Sequence, residues 1–459
     1  MSTPTRTPTR GEYESVGAPG PRPRRGPSHR RPRKRRTRQQ IIRRRRIAVA
    51  ILAVVLIFVG WVGVSLGQAL TDPGLGSSVS ARLAEWFREH GGAPIVNWAE
   101  NVWYSHHQPK KGGKPPSGAF TAQGHTSSTN AAAATAVDHL PTPPAVVSPA
   151  SPPLPGEGQW QPVGRTVDGI PAVYEAFVRP NAVNTSYVVG IAWMDTKLLS
   201  ATLYSGSTIP GGGPFTHTAP ITPTAATTLV SAFNAGFLLS DSNGGYYTDG
   251  TQQAPLVNGA ASIVIYKDGS VNIGAWNENG LTMTPNVASV RQNLDLLVNN
   301  GAPVPGINAN DTTQWGDTLG DAVDVWRSGL GITADGALVY VGGPAMGIAD
   351  VADLLVRAGA VRGMELDINT DWVNFASYAP TPPNGGAATP QNGTNLISSM
   401  TGGTDRYFQS WWSRDFITMS ARSPAQIKSD SSQAGTTSPS TTSTTTAPSN
   451  KGSKSAHGP

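Results

Sequence analysis

The chain has 459 residues, a net charge of +6 and no cysteine. Without thiols, disulfides, zinc–thiolate sites and cysteine nucleophiles are excluded, so an ordinary apolar core must hold any folded part. The charge is unevenly divided, because the first 46 residues hold 16 Lys or Arg and two Glu, which leaves 19 basic against 27 acidic residues elsewhere. A basic tail is therefore attached to an acidic body.

Residues 1–46 form this basic tail, which we expect to be disordered and cytoplasmic. Its Pro, Thr, Gly and Arg residues offer too little apolar surface to fold. The arginines before residue 47 would suit a nucleic acid, but the apolar run that follows at once favours a place beside the membrane. We therefore expect no nucleic-acid partner.

Residues 47–69 are predicted to be a transmembrane helix in contact with the lipid bilayer. Ile47 to Gly67 is 21 residues without a charge, and at about 1.5 Å per residue this run crosses a bilayer core. Arg43 to Arg46 place the N-terminus in the cytoplasm and the main domain outside, as a single-pass cell-membrane protein. A cleaved signal peptide is the alternative, although the long basic leader is atypical of one.

The rest of the chain divides by composition. Residues 70–108 are predicted to be a juxtamembrane helical segment, whose aromatic faces suit the membrane surface or, alternatively, a protein partner. Residues 109–155 and 427–459 are rich in Pro, Ala, Ser and Thr, which predicts a linker and a disordered tail. Residues 156–426 remain as one folded extracytoplasmic domain, long enough for a large core.

The folded domain is predicted to be α+β, with mixed or antiparallel sheets, hairpins and packed helices. Asp268-Gly269 and Asp335-Gly336 each lie between apolar runs, which is a strong hairpin signal. Val287 to Asn299 has apolar residues at helical spacing and is predicted to be a helix. Hairpins mixed with separate helices favour this class over a wound βαβ sheet.

The stretch from Val325 to Phe375 is predicted to form a hairpin, a helix and a further strand. The helix follows from apolar residues at helical spacing, Val351, Leu354, Leu355 and Ala358. Side chains alternate along the last strand, Val361 to Ile368, so Glu365 and Asp367 are expected on one face. Asp371 then adds a third carboxylate in a polar turn.

These carboxylates are the candidate catalytic residues. His217 is the only histidine in residues 156–426, which disfavours Ser-His-Asp and histidine–zinc chemistry. Paired carboxylates suit glycoside hydrolysis, in which one is the acid and the other the nucleophile or base. Neighbouring polar and aromatic groups are candidate substrate-binding residues, Asn369 and Trp372, and further polar side chains lie in the loops 234–250 and 299–317.

A calcium site is an alternative use of the same residues. Asp367, Asn369 and Asp371 begin like a calcium loop, but Trp372 and Tyr378 stand where an EF-hand needs Gly and Glu. An EF-hand is excluded, and a looser Ca²⁺ site, as in a Ca²⁺-stabilised scaffold, is left open. Otherwise we expect no cofactor and no bound metal.

The domain resembles the phosphodiester glycosidase family over roughly Val188 to Ala421. The segment Phe233 to Phe237 is similar to the family's N-G-G-F block, and Arg327 to Ile332 to its arginine-bearing hairpin. Leu366-Asp367 stands at the place of the family's L-D-G-G-G-S, whose later residues are here Ile-Asn-Thr-Asp, which narrow the site and add a carboxylate. The resemblance implicates Asn234, Gly236, Arg327 and Asp367.

The resemblance implies hydrolysis of a sugar–phosphodiester or glycosidic bond in a cell-envelope glycan or sugar-phosphate polymer. Asp367 and Glu365 would share the acid and base or nucleophile roles, Arg327 would bind phosphate, and Asn234 would orient a sugar hydroxyl. The alternative is a non-catalytic glycan-binding or envelope-organising module. Glu365 could also be a structural salt-bridge partner of Arg327 or Arg362.

Overall fold

The computed structural model describes residues 37–76, 78–123, 137–307, 312–315, 324–382 and 386–427. Within these residues the chain forms helices and three antiparallel β-sheets, which confirms the predicted α+β class. The chain divides into two compact units, residues 1–64 and 65–459.

Helix α1 (Arg38–Thr71) contains the apolar run that was predicted to span a membrane. It is 34 residues long, and by length and composition it could cross a bilayer, although a signal sequence meets the same criteria. Its large apolar side chains from Ile47 to Val64 are exposed. Residues 1–36 of the predicted basic tail lie outside the described residues.

Two further helices follow, α2 (Val79–Phe87) and α3 (Ala93–His106), joined by a π-helical turn at Arg88–Gly92. They lie within residues 70–108, for which a juxtamembrane helical segment was predicted. Ser78 caps α2, because its Oγ accepts the Ala81 N–H at 3.1 Å. Trp86 is buried, and its Nε1 donates to Ser65 Oγ at 2.9 Å.

The body consists mainly of strands. Their bounds are β1 Gln161–Val167, β2 Ile170–Val178, β3 Val189–Met194, β4 Leu199–Tyr204, β5 Leu229–Asn234, β6 Tyr246–Thr248, β7 Thr251–Ala254, β8 Ala261–Tyr266, β9 Val271–Ala275, β10 Val287–Gln292, β11 Leu296–Asn299, β12 Ala302–Pro303, β13 Val325–Thr333, β14 Leu338–Met346, β15 Ala360–Asp367, β16 Phe375–Tyr378, β17 Gly393–Asn395 and β18 Phe416–Ala421. The helices of the body are α4 Pro223–Ala226, α5 Leu239–Ser242, α6 Thr312–Trp315 and α7 Ile348–Arg357.

These strands form one sheet of eight and two sheets of five. The first sheet has the order β1-β2-β3-β14-β13-β15-β11-β12, the second β7-β6-β10-β8-β9 and the third β17-β16-β5-β18-β4. The largest apolar cluster draws on all three sheets and includes Phe233, Tyr340 and Met364. A second cluster packs α7 against the first sheet through Val351 and Leu355. The eight-stranded sheet is therefore covered on both faces.

The stretch from Val325 to Phe375 folds as its sequence predicted. β13 and β14 form the hairpin, with Gly336 at φ 92° in the turn and its N–H donating to Thr333 O at 3.1 Å. Helix α7 buries Val351, Ala352, Leu354 and Leu355 on one side. Gly359, at φ 95°, follows the helix, and β15 begins one residue later. Local turn and spacing signals were therefore sufficient for this stretch.

The predicted helix from Val287 to Asn299 is wrong, because these residues form β10 and β11. β10 pairs with β6 and β8, and β11 pairs with β12 and β15. Leu294 has φ 47° between the two strands, a conformation that ends a helix as well as a strand. The spacing of the apolar residues is compatible with a helix and with strands, and pairing with distant strands decides for the strands.

The segment predicted as a linker, residues 109–155, lies partly against the body. Leu140, Val146 and Ala150 are buried, the Leu140 N–H donates to Asp195 Oδ2 at 2.8 Å, and the Val146 N–H donates to Gly158 O at 2.9 Å. The folded body thus begins before residue 156, because a Pro-rich extended chain can still bury its apolar side chains. Residues 124–136 and the tail after residue 427 lie outside the described residues.

Candidate functional site

The candidate site lies where β15 ends. Ser328 of β13 pairs with Asp367, and the next residue, Gly329, pairs with Glu365, so Leu366 is an extra residue in β15. Such a bulge interrupts the alternation of side chains along a strand. Glu365 and Asp367 therefore lie in different surroundings, and a different arginine acts on each.

Glu365 forms a buried ion pair with Arg327. Arg327 Nη1 lies 2.5 Å from Glu365 Oε1, and Arg327 Nε donates to Met346 O at 3.0 Å. Burial raises the pKa of Glu365 to about 7, opposed by the Arg327 guanidinium. Of the two arginines considered from the sequence, Arg327 is the partner, while Arg362 Nη2 donates to Asn272 Oδ1. Arg327 is thus already engaged, rather than held open for a phosphate.

Asp367 is also buried, with 3% of its surface exposed. Burial raises its pKa to about 7; Arg414 acts in the opposite direction, and the charge of Glu365 raises the pKa further. Arg414 Cζ lies 4.3 Å from the centre of the Trp372 ring, and Arg414 Nη2 lies 3.7 Å from Glu85 Oε1 in α2. Asp367 is therefore a carboxyl that changes protonation near neutral pH.

The turn after Asp367 is held by its own side chains. The Asn369 N–H donates to Asp367 Oδ1 at 2.9 Å, and the Asp371 N–H donates to Asn369 Oδ1 at 2.9 Å. Asn369 is exposed and Asp371 half-buried. These two oxygens, which could have faced a Ca²⁺ ion, thus shape the turn instead. Among the described residues no group of three or more His, Asp or Glu side chains could hold a metal ion.

Asn234, at the end of β5, connects the third sheet to this turn. Its Nδ2 donates to Ser328 Oγ at 3.1 Å, and its Oδ1 accepts from Tyr340 OH at 2.9 Å and from the Asn374 N–H at 3.2 Å. Ser328 Oγ in turn donates to Asp367 O at 3.4 Å. Asn234 and Asp367 therefore belong to one buried hydrogen-bond network. In this network the side-chain amide of Asn234 bonds to other groups of the protein itself.

Gly236 makes room for an arginine that the sequence did not suggest. A Cβ at Gly236 would lie 3.1 Å from Arg291 Cζ. Arg291 Nε donates to Asp415 Oδ2 at 2.6 Å in a fully buried ion pair, and its Nη2 donates to Phe237 O. Arg291 lies in the stretch wrongly predicted as a helix, which concealed its inward direction.

Arg406 is the second arginine that sequence reasoning missed. It is buried, yet its Nε and Nη1 have no hydrogen-bond partner among the described residues. Its Cζ lies 4.5 Å from the centre of the Trp412 ring, and the charges of Tyr407 and Asp371 act on its pKa, which burial lowers. The neighbouring glycine pair at 402–403 was the available signal, because a Cβ at Gly402 would lie 1.1 Å from Arg406 Nη2.

The remaining predicted site residues, Trp372 and those of the two other polar loops, lie in different places. Trp372 is buried and packs edge-on against Trp412 at 5.6 Å, so it is not an open platform for a sugar. In the loop 234–250, Tyr246 lies in the core, and Asp249 Oδ2 accepts the Thr216 N–H at 2.7 Å. In the loop 299–317, residues 308–311 and 316–317 lie outside the described residues.

Comparisons with known proteins do not assign this site. No family profile and no curated protein sequence matches the chain. The chain is similar to a solved structure of a hypothetical protein from Synechocystis, with TM-score 0.32 and 12% identity over 57% of this chain and 64% of that one. It is also similar to a "Putative exported protein" from Burkholderia pseudomallei K96243, with TM-score 0.26 and 12% identity over 51% of this chain and 74% of that one.

The chain therefore spans less than two thirds of the first of these structures. Likeness at this level carries no conclusion about either fold or function.

Proposed function

We propose that the chain is a membrane-anchored extracytoplasmic hydrolase of sugar–phosphodiester or glycosidic bonds in cell-envelope polymers. Residues 47–69 would cross the membrane once, with the N-terminus in the cytoplasm. The observation that carries the proposal is Asp367, a buried carboxyl beside Arg414 whose pKa is raised to about 7. The resemblance of the Asn234, Arg327 and Asp367 segments to phosphodiester glycosidases supports the same reading.

In the proposed reaction Asp367 is the general acid. A carboxyl with a pKa near the working pH is protonated often enough to donate and acidic enough to do so readily. The oxygen of a water molecule bonds to the anomeric carbon, the bond from that carbon to the leaving oxygen breaks, and Asp367 gives its proton to the leaving oxygen. The half-buried carboxylate of Asp371 takes the proton of the attacking water.

Glu365 and Arg406 have supporting roles in this scheme. Glu365, held by Arg327, keeps the pKa of Asp367 high through its negative charge. Arg406 takes the phosphate-binding role first assigned to Arg327, because Nε and Nη1 of buried Arg406 have no hydrogen-bond partner among the described residues, whereas Nε and Nη1 of Arg327 donate to Met346 O and Glu365 Oε1. An arginine fork suits phosphate oxygens.

A non-catalytic glycan-binding module is the second candidate, and the Arg327–Glu365 ion pair favours it. Glu365, one of the two carboxyls, is bound to an arginine inside the protein, as a structural role requires. This candidate expects sugar polymers to bind at the end of β15 without turnover.

The full chain in lipid nanodiscs should be assayed for both binding and product release on the same substrates, an aryl glycoside and an N-acetylglucosamine-1-phosphodiester. Release that falls at least about a hundredfold in Asp367→Asn, as loss of a general acid requires, supports the hydrolase. Asp241→Asn, at an exposed position of the short helix α5, is the matched control. Binding without release, or an Asp367→Asn variant as active as the parent chain, would leave only the binding module.

A further inference from the structure

A groove of about 900 Å³ lies away from the carboxylate site. It is bordered by β4, by the β8–β9 hairpin and by the segment that carries His217. None of the residues Asn234, Glu365, Asp367, Asp371, Arg406 and Arg414 lines it. Its chemistry must therefore be explained separately.

One wall of the groove is the free edge of β4. β4 is the last strand of the third sheet, and it pairs with β18 on its other side. The Ala201 N–H donates to Gly269 O at 2.8 Å and the Ser205 N–H donates to His217 O at 3.0 Å. Odd-numbered residues of β4 thus direct their backbone groups away from β18 and toward the groove.

Leu203 lies between Ala201 and Ser205, and its backbone N–H and C=O also point away from β18 and toward the groove. It is buried, but within the described part of the chain neither its N–H nor its C=O has a hydrogen-bond partner. Buried backbone groups are nearly always paired, so an unpaired donor and acceptor facing a groove indicate that a ligand or water completes them. Leu203 therefore offers one donor and one acceptor side by side.

The length of this open edge limits what can bind. Four residue steps separate Ala201 from Ser205, a distance of about 13 Å along a strand. Gly269 and His217 close the edge at either end, so an extended peptide could not add a continuous row of hydrogen bonds. A compact ligand with adjacent hydroxyl groups fits the single free donor and acceptor.

The remaining lining suits an uncharged, hydroxyl-rich ligand. Thr248 Oγ1 and Ser289 Oγ lie 3.1 Å apart, and the half-buried residues Thr202 and Tyr247 also line the groove. The ionic groups of the lining, Lys267, Asp249 and Asp268, sum to a charge of −1, which disfavours an anionic ligand.

We propose that this groove is a carbohydrate subsite, in which one uncharged sugar ring donates a hydroxyl hydrogen bond to Leu203 C=O and accepts another from Leu203 N–H. Polar groups beside an aromatic ring face are how proteins bind sugar rings, whose edges are hydroxyls and whose faces are C–H. The site would hold part of a polymer independently of any reaction at Asp367.

The test uses the full chain in lipid nanodiscs, since sugar-headed detergents would compete. The probes are the N-acetylglucosamine tetramer and maltotetraose, with a Thr-Val hexapeptide as the extended-peptide probe. Binding is measured by calorimetric titration, and protection of the Leu203 amide by hydrogen exchange. We expect a tetrasaccharide to bind and to slow exchange at Leu203.

Two variants test the location. Thr202→Trp fills the groove, and His217→Ala removes an imidazole that lines it while the backbone oxygen of residue 217 remains; each should weaken sugar binding by about tenfold, the loss of one or two hydrogen bonds. Thr251→Trp, at an exposed strand position outside the lining, is the matched control and should bind as the parent chain does. Asp367→Asn should also leave this binding unchanged, which separates it from the proposed hydrolase.

Three results would overturn the subsite. These are no binding of either tetrasaccharide by the parent chain, sugar binding that both groove variants retain in full, and protection of the Leu203 amide by the hexapeptide alone.

Discussion

Arg327 and Glu365 face each other from neighbouring strands, with Nη1 and Oε1 2.5 Å apart and both side chains almost completely buried. A charge in such a place is tolerated only with its partner, because the protein interior solvates an isolated ion poorly. The pair therefore fixes the position at which β15 ends, and with it the place of Asp367.

We predict that Arg327→Met destabilises the chain by about 3–5 kcal/mol, because it leaves Glu365 buried without a countercharge. The double variant Arg327→Met/Glu365→Leu should recover most of that loss, since no ion remains. Urea unfolding followed by tryptophan fluorescence measures both. A single variant no less stable than the double variant would contradict a stabilising pair.

Glu175 should make stability depend on pH. It is fully buried, and burial raises its pKa from 4.5 to about 8, with Ser377 Oγ donating to Oε1 at 3.4 Å. Because the folded state holds this proton more tightly than the unfolded state, stability is highest below pH 4.5 for this group and falls as pH rises to about 8.

The variant Glu175→Gln keeps the shape and cannot ionise. We expect it to remove a loss on the order of a few kcal/mol between pH 5 and pH 8. Melting temperatures of both chains across that range measure the difference. Parallel pH curves for the two chains would show that Glu175 does not titrate there.

The pH dependence of hydrolysis should report Asp367. If its protonated form is the acid, kcat/KM falls about tenfold per pH unit above a pKa of about 7. Glu365→Gln removes a negative charge that raises this pKa and leaves the Arg327 charge uncompensated, so the alkaline limb should move to lower pH. A limb that stays in place would exclude electrostatic coupling between the two carboxyls.

Arg406 should distinguish charged from neutral substrates. Arg406→Gln is expected to raise KM for the sugar phosphodiester at least about tenfold, the loss of a charged hydrogen bond, and to leave KM for the neutral aryl glycoside within about twofold. Arg357→Gln, at a partly exposed arginine of α7, is the control. Equal effects on both substrates would assign Arg406 to structure alone.

Gly402→Ala tests the same arginine without removing its charge. A Cβ at residue 402 would meet Arg406 Nη2, so the guanidinium must move. We expect the same selective rise in KM as in Arg406→Gln.

Local signals in the sequence predicted the fold around the site but not the site's electrostatics. The Asp335-Gly336 turn and the spacing of α7 are properties of neighbouring residues, so they could be recognised without the rest of the chain. The wrong helix at Val287 to Asn299 had spacing that suits strands too, and its pairing partners lie far along the chain.

Two arginines near the site were overlooked in the sequence for the same reason, because their neighbours lie far along the chain. Arg406 and Arg414 follow Asp367 by 39 and 47 residues in the sequence, and their guanidinium groups pack on the rings of Trp412 and Trp372, which contact each other. The bulge at Leu366 also depends on β13, so alternation along β15 alone could not reveal the different surroundings of Glu365 and Asp367.

The contact between Glu85 and Arg414 has a practical consequence. α2 belongs to the region that would ordinarily be trimmed to obtain a shorter chain for crystallisation, yet Glu85 is a countercharge for Arg414, the arginine whose charge lowers the pKa of Asp367. Deleting it would let Arg414 act more strongly on that carboxyl and lower the pKa of Asp367. The proposed hydrolysis by a trimmed chain should then have its optimum at lower pH than that of the complete chain, although the body itself is unchanged.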